Sequence, residues 1–327
     1  MRVYSMQTIP DNDLSAGILG VIVGDALGLP VQFEEREERD IKPVTEMIGY
    51  GVFNVPSGSW SDDSSLTLCL VDALTKVSPH QRQQFLQQLG QNFCQWLDNG
   101  YLTPFGYAYD VGGATYKAVS RLQKGVSPLE SGSKKEYDNG NGSLMRILPL
   151  AYYYQQFSPE ELINLTHEVG SITHGHLRAN IACGIYITIA VQLLQGKSPH
   201  QAYTDSLKQI NTLYSKPIYQ QELAYYHRIL AGNIQDRSRD EIKSTGYVVD
   251  TLEASLWCLL TTNNYEEAVL KAGNLEKNTD TVGAVTGGLA GIYYGLKNIP
   301  EHWLSQIQKL DEIIDLMGLW DSVMQTT

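Results

Sequence analysis

The stretch Leu14-Ser15-Ala16-Gly17-Ile18-Leu19-Gly20-Val21-Ile22-Val23-Gly24-Asp25-Ala26-Leu27, followed by Gly28, decides the fold. It is apolar or small at nearly every position and carries a single acid, Asp25. Glycines at 17, 20, 24 and 28 recur every three or four residues, so they share one helical face. A face without Cβ atoms admits another backbone at close range. A helix that is apolar all round is a buried one. The segment therefore reads as a central core helix, and residues 281–296 repeat its Gly/Ala-rich style.

Outward from that helix the 3.6-residue period dominates. Helices are expected over residues 66–74, 80–97, 111–122, 144–155, 176–194, 198–213, 219–230, 250–260 and 265–272, with another opened by Ser158-Pro159. Residues 32–40 and 124–142 read as loops. Strand-like alternation is scarce, and no linker, internal repeat or low-complexity tract interrupts the chain. The expectation is an all-α, compact multi-helix bundle, one domain over residues 1–327.

The 327 residues are 43% apolar and 18% charged, ample for a core. Formal charge is −12, from 24 Lys+Arg against 36 Asp+Glu. That field repels nucleic acid and anionic membranes and favours cations, so a polyanionic ligand needs a local site. Cys69, Cys94, Cys183 and Cys258 lie in apolar helical stretches without CxxC spacing, as expected of free thiols in a reducing compartment. Residues 1–13 lack the apolar region of a signal peptide, and no uncharged apolar run reaches the ~18 residues of a membrane span. A cytoplasmic location without membrane association is expected; the oligomeric state is not readable.

Four segments carry chemistry. Ser61-Asp62-Asp63-Ser64 opens an apolar helix. Read plainly it is an N-cap with an extra acid, but adjacent carboxylates repel unless a cation or a helix N-terminus compensates them. Asn278-Thr279-Asp280-Thr281 has the same character before the last Gly/Ala-rich helix. Oxygen-only side chains suit a hard cation rather than zinc. Asp138-Asn139-Gly140-Asn141-Gly142-Ser143 has the composition of an amide nest at a helix N-terminus, able to hold phosphate. Ser171-Ile172-Thr173-His174-Gly175-His176 places two histidines too sparsely for a zinc site, so each reads as a ligand contact or a core histidine.

In this order, together with residues 17–28, Trp60-Ser61-Asp62-Asp63, residues 139–146, residues 246–254 and the final glycine-rich helix, these segments resemble the ADP-ribosylglycohydrolase family over nearly the whole chain. The resemblance implies a helical bundle with a binuclear Mg²⁺ or Mn²⁺ site at the floor of a cleft. It also implies hydrolysis of the N-glycosidic bond between ADP-ribose and a protein side chain such as arginine. It assigns Ser61, Asp62, Asp63, Asn278, Asp280 and Thr281 to the metals, with Asp62 and Asp63 also catalytic. ADP-ribose, free or on a protein, would meet Gly140, Asn141, Gly142, Ser143, His174 and Tyr247.

Two positions depart from the family pattern. Gln32 stands where the family usually has a catalytic Glu, and Asn278 where it usually has the first Asp of the metal motif. Each change keeps shape and removes charge, so weaker occupancy of one metal and slower turnover are expected. Three readings follow from these residues: an active hydrolase, an ADP-ribose binder with little turnover, or an immunity or regulatory protein that blocks an ADP-ribosyltransferase. The short polar segment 1–13 offers the last little material for a plug.

Overall fold

The computed structural model describes residues 9–326; most of the 1–13 segment considered as a plug lies outside them. Helix α1 (Asp13–Gly28) starts where Asn12 accepts a hydrogen bond from the Ser15 amide at 2.9 Å, and residues 14–28 are all buried. Its partner is α10 (Thr279–Tyr294), likewise buried along most of its length. The two run antiparallel in backbone contact: a Cβ on Gly20 would lie 2.3 Å from the Gly287 carbonyl oxygen, and one on Gly24 2.0 Å from that of Gly283. The glycine face thus performs the close approach that its spacing implies.

The other helices surround this pair. α2 (Asp62–Lys76) packs on α3 (Arg82–Asn99) and on α11 (Leu310–Thr326). α4 (Gly113–Gln123) follows α3, whose left-handed C-cap at Gly100 has φ 63°. α5 (Pro159–Ser171), opened by a Ser158/Glu161 capping box, and α7 (Pro199–Leu213), opened by Ser198/Gln201, flank the buried α6 (Leu177–Leu194). α8 (Val248–Leu260) and α9 (Tyr265–Gly273) cover α10 from the other side. Among the described residues there is no strand; two isolated bridges, Ser133 with His174 and Gly140 with Tyr247, join loops. The mainly helical expectation is met.

Three local expectations are corrected. Residues 144–155 form turns and a short 3₁₀ helix (Leu148–Tyr153), because Pro149 removes a donor where an α-helix would need it. Residues 219–230 break into Pro217–Leu223, a 3₁₀ turn and His227–Leu230. The polar loop over 32–40 contains a helix, Arg36–Ile41, held by a reciprocal Glu35/Glu38 cap. Two stretches, Asp13–Val31 and Leu177–Leu194, are long and apolar enough to cross a membrane by length and composition, yet 100% and 89% of their windows are buried inside the protein. They are core helices by position.

Candidate active site

Helices α2 and α10 deliver their first turns to one place. Ser61 caps α2, its hydroxyl accepting from the Asp63 amide at 3.2 Å and donating to Asp63 Oδ2 at 3.1 Å. The buried Asp25 of α1 fixes that turn by accepting from the Ser61 amide at 2.9 Å, the Ser64 amide at 3.0 Å and the Ser64 hydroxyl at 2.5 Å. From α10, Thr281 Oγ1 donates to Asp63 Oδ2 at 3.3 Å. The two cap-like clusters therefore meet, which neither shows alone.

A cleft of about 350 Å³ opens on them. Gln32, Asp62, Asp63, Asn278, Asp280 and Thr281 line it, facing Gly140, Asn141, Gly142 and His174. Ser61, Ser143 and Tyr247 do not line it. Ser143 is buried with its hydroxyl toward Cys183, and the Tyr247 hydroxyl accepts from Arg178 at 3.3 Å. Tyr247 still shapes the site through its backbone bridge to Gly140.

Burial pushes the carboxyls of Asp62, Asp63 and Asp280 well above the usual range, and repulsion from neighbouring acids adds to it. Asp25 is raised to about 6 chiefly by burial. Several oxygens in this group are buried without a hydrogen-bond partner: Asp63 Oδ1, both Asp280 oxygens and Gln32 Oε1. Among the described residues no three His, Cys, Asp or Glu side chains form a preformed metal cage. The orphaned oxygens are nonetheless hard donors concentrated in one buried spot, and they fit divalent cations of the Mg²⁺ or Mn²⁺ type.

Across the cleft the turn at 140–142 is pinned by backbone bonds, Asn141 N to Gly246 O and Val248 N to Asn139 O, both 3.0 Å. Gly142 is required by proximity, since a Cβ there would stand 2.8 Å from His174 Cε1. His174 is buried, shares a 2.8 Å hydrogen bond with Thr173 Oγ1, and has its pKa lowered to about 3 by burial, helped by Arg146. It is therefore a neutral imidazole. Arg146 lies buried beneath the turn and donates to the Gly142 carbonyl. Of the two departing amides, Asn278 Oδ1 accepts from Asn141 Nδ2 at 2.5 Å, and Gln32 lies beside the Asp110 carboxyl.

Asp110 is the acid that sequence reading missed. It lines the cleft with φ 53°, faces Asp280, and has its pKa raised by burial. Standing directly before the helix expected from residue 111, an isolated Asp has the character of a plain helix cap and no metal-ligand pattern, so only convergence in space reveals its place in the site. The first turn of α4 was also unassigned: Gly112, Gly113, Ala114 and Thr115 line the cleft. The nest was expected to sit on a helix starting near residue 144. No helix starts there; beside those of α2 and α10, it is the N-terminus of α4 that opens on the cleft.

The family model for ADP-ribosylglycohydrolase matches residues 6–326. The chain belongs to the ADP-ribosylglycohydrolase family. It is 31% identical over 295 residues to the ADP-ribosylarginine hydrolase Tri1 of Pseudomonas putida (strain GB-1), covering 89% of this chain and 72% of that one. The ADP-ribosyl-[dinitrogen reductase] glycohydrolase of Rhodospirillum rubrum is 26% identical, over 95% of this chain and 98% of its own. A solved structure described as an ADP-ribosylglycohydrolase-related protein complex superposes with a TM-score of 0.76 at 28% identity, covering 95% of this chain and 96% of that chain. This member of the family is accordingly a hydrolase of glycosyl bonds.

Proposed function

We propose that this ADP-ribosylglycohydrolase uses two Mg²⁺ or Mn²⁺ ions to hydrolyse the N-glycosidic bond between ADP-ribose and an arginine side chain of a modified protein. The observation that carries the reading is the meeting of the α2 and α10 first turns, with orphaned carboxylate oxygens, opposite a glycine turn underlain by Arg146. The similarity to ADP-ribosylarginine hydrolases supports arginine as the acceptor.

Asp62, Asp63, Asp280 and Thr281 would hold the ions, with Asn278 and Ser61 at the edge of the set. Bound there, divalent ions would neutralise the crowded acids, orient ribose hydroxyls and lower the pKa of a water. The diphosphate fits between the 140–142 turn and the first-turn amides of α4, where backbone N–H groups and the helix dipole favour anions. His174, neutral and fixed by Thr173, lines that side. As the C–N bond breaks, its electron pair passes to the guanidino nitrogen. Asp110, which lines the cleft, would protonate that nitrogen while the other carboxylates stabilise the cationic ribose. Water completes the sugar, and its proton returns to a carboxylate.

The four free cysteines, three of them buried, support a reducing, cytoplasmic setting. Release of ADP-ribose from ADP-ribosyl-arginine with Mg²⁺ or Mn²⁺ tests the activity. Turnover is expected in the unaltered protein, and Gln32→Glu with Asn278→Asp should raise it by restoring two charges. If the unaltered protein released nothing above background while the double variant did, the enzyme reading would give way to an ADP-ribose binder.

A further inference from the structure

A chain of aromatic rings that the hydrolytic site leaves unused begins at the cleft with Phe33. Phe33 lines the cleft yet is 58% exposed, held in a left-handed backbone at φ 69°. A phenylalanine that is both solvent-exposed and strained is costly twice over, and such strain gathers at ligand sites. Its ring lies 6.2 Å from that of Phe53, which lies 5.7 Å from Tyr109. Tyr109 is anchored by its hydroxyl to the Trp60 carbonyl at 2.5 Å, and the next residue is the cleft acid Asp110. Gln32, the residue before Phe33, lies beside Asp110, and all three line the cleft.

The cleft lining combines anion-binding and cation-binding groups. The glycine turn over Arg146 and the first turn of α4 suit an anion. Phe33 lines the cleft together with the acids Asp110 and Asp62, and among the described residues no Lys or Arg lines it to oppose a cation. A planar cation stacks on aromatic faces and pairs with carboxylates, and guanidinium does both.

We infer that the ledge of Phe33, Phe53 and Tyr109, with Asp110 at its inner end, is the acceptor subsite that seats the guanidinium of the modified arginine. The inference rests on the arginine reading above and names the residues that would select that acceptor. Phe33 is the residue to vary, because it is exposed and its replacement leaves the core intact. Phe33→Ala and Phe33→Leu should raise KM for ADP-ribosyl-arginine about three- to tenfold, with kcat nearly unchanged, while Phe33→Tyr keeps the unaltered value. The Kd of free ADP-ribose, read by calorimetry, should stay within about twofold in all three, since a single exposed stacking contact on the acceptor side is removed. An equal weakening for free ADP-ribose would overturn the proposal by assigning the ledge to the adenine. An unchanged KM, or full retention by Phe33→Leu, would overturn it as well.

Methylguanidinium judges the ledge without turnover. With ADP-ribose saturating, ligand-observed NMR should detect its binding to the unaltered protein and its loss in Phe33→Ala. Absence of binding to the unaltered protein would overturn the subsite. A protein that binds methylguanidinium but releases no ADP-ribose would retain the subsite while losing the activity.

Discussion

Asp280 has both carboxylate oxygens buried without a partner, an expensive arrangement unless something positive meets them. Asp280→Ala should therefore lower kcat about 100-fold or more, since even outer partners of a metal site cost 10–100-fold. It should also remove at least one ion from the calorimetric stoichiometry. An unchanged stoichiometry would count against the ligand set. His167 supplies a pH test away from the cleft. It is half-buried against Tyr214, with Nε2 2.9 Å from the hydroxyl, and desolvation lowers its pKa to about 4. Between the ordinary value of 6.5 and about 4 the unfolded chain takes a proton that the native state refuses. Stability from this group is thus whole above pH 6.5 and is lost as pH falls through that window. At pH 5 the loss is about 2 kcal/mol. Urea titrations at pH 7.5 and 5 should show the unaltered protein losing about that much more than His167→Gln. Equal pH dependence of the two would remove His167 as the source.

At the scale of elements, the α1–α10 pair bears most on the site, because α10 carries Asp280 and the Asp25 of α1 steadies the first turn of α2. A methyl group at Gly24 would meet the Gly283 carbonyl at 2.0 Å, in backbone that has no flexible end to move. Gly24→Ala should cost about 1–3 kcal/mol or more of stability and weaken metal binding with it. Gly113→Ala, by contrast, meets nothing within 4 Å and should fold normally. Chemical denaturation of the pair tests both; a neutral Gly24→Ala would contradict the packing. The glycine face was legible in the sequence because its spacing is a local property. No α-helix forms over 144–155 because Pro149 interrupts an otherwise helical period, and the break over 219–230 occurs inside an amphipathic pattern.

At the scale of the whole molecule, ligation and folding are linked. The crowded acids repel in the ligand-free protein, so Mg²⁺ or Mn²⁺ should raise the melting temperature and a chelator should reverse the rise. At a free concentration near 100 times Kd the gain is about 2.7 kcal/mol per site. Equal melting with and without the ions would exclude a site in the native state. The chain by itself determined the helical class, the buried α1 and α10, and the acids that open α2 and α10, because helical period, glycine spacing and capping residues are written within a few neighbouring positions. Tertiary structure alone decided that Asp110 and Phe33 join the cleft, that the N-terminus of α4 faces it as well, and that Ser143 and Tyr247 stand back from it. Those outcomes depend on how segments distant in sequence pack together, and local spacing carries no record of that.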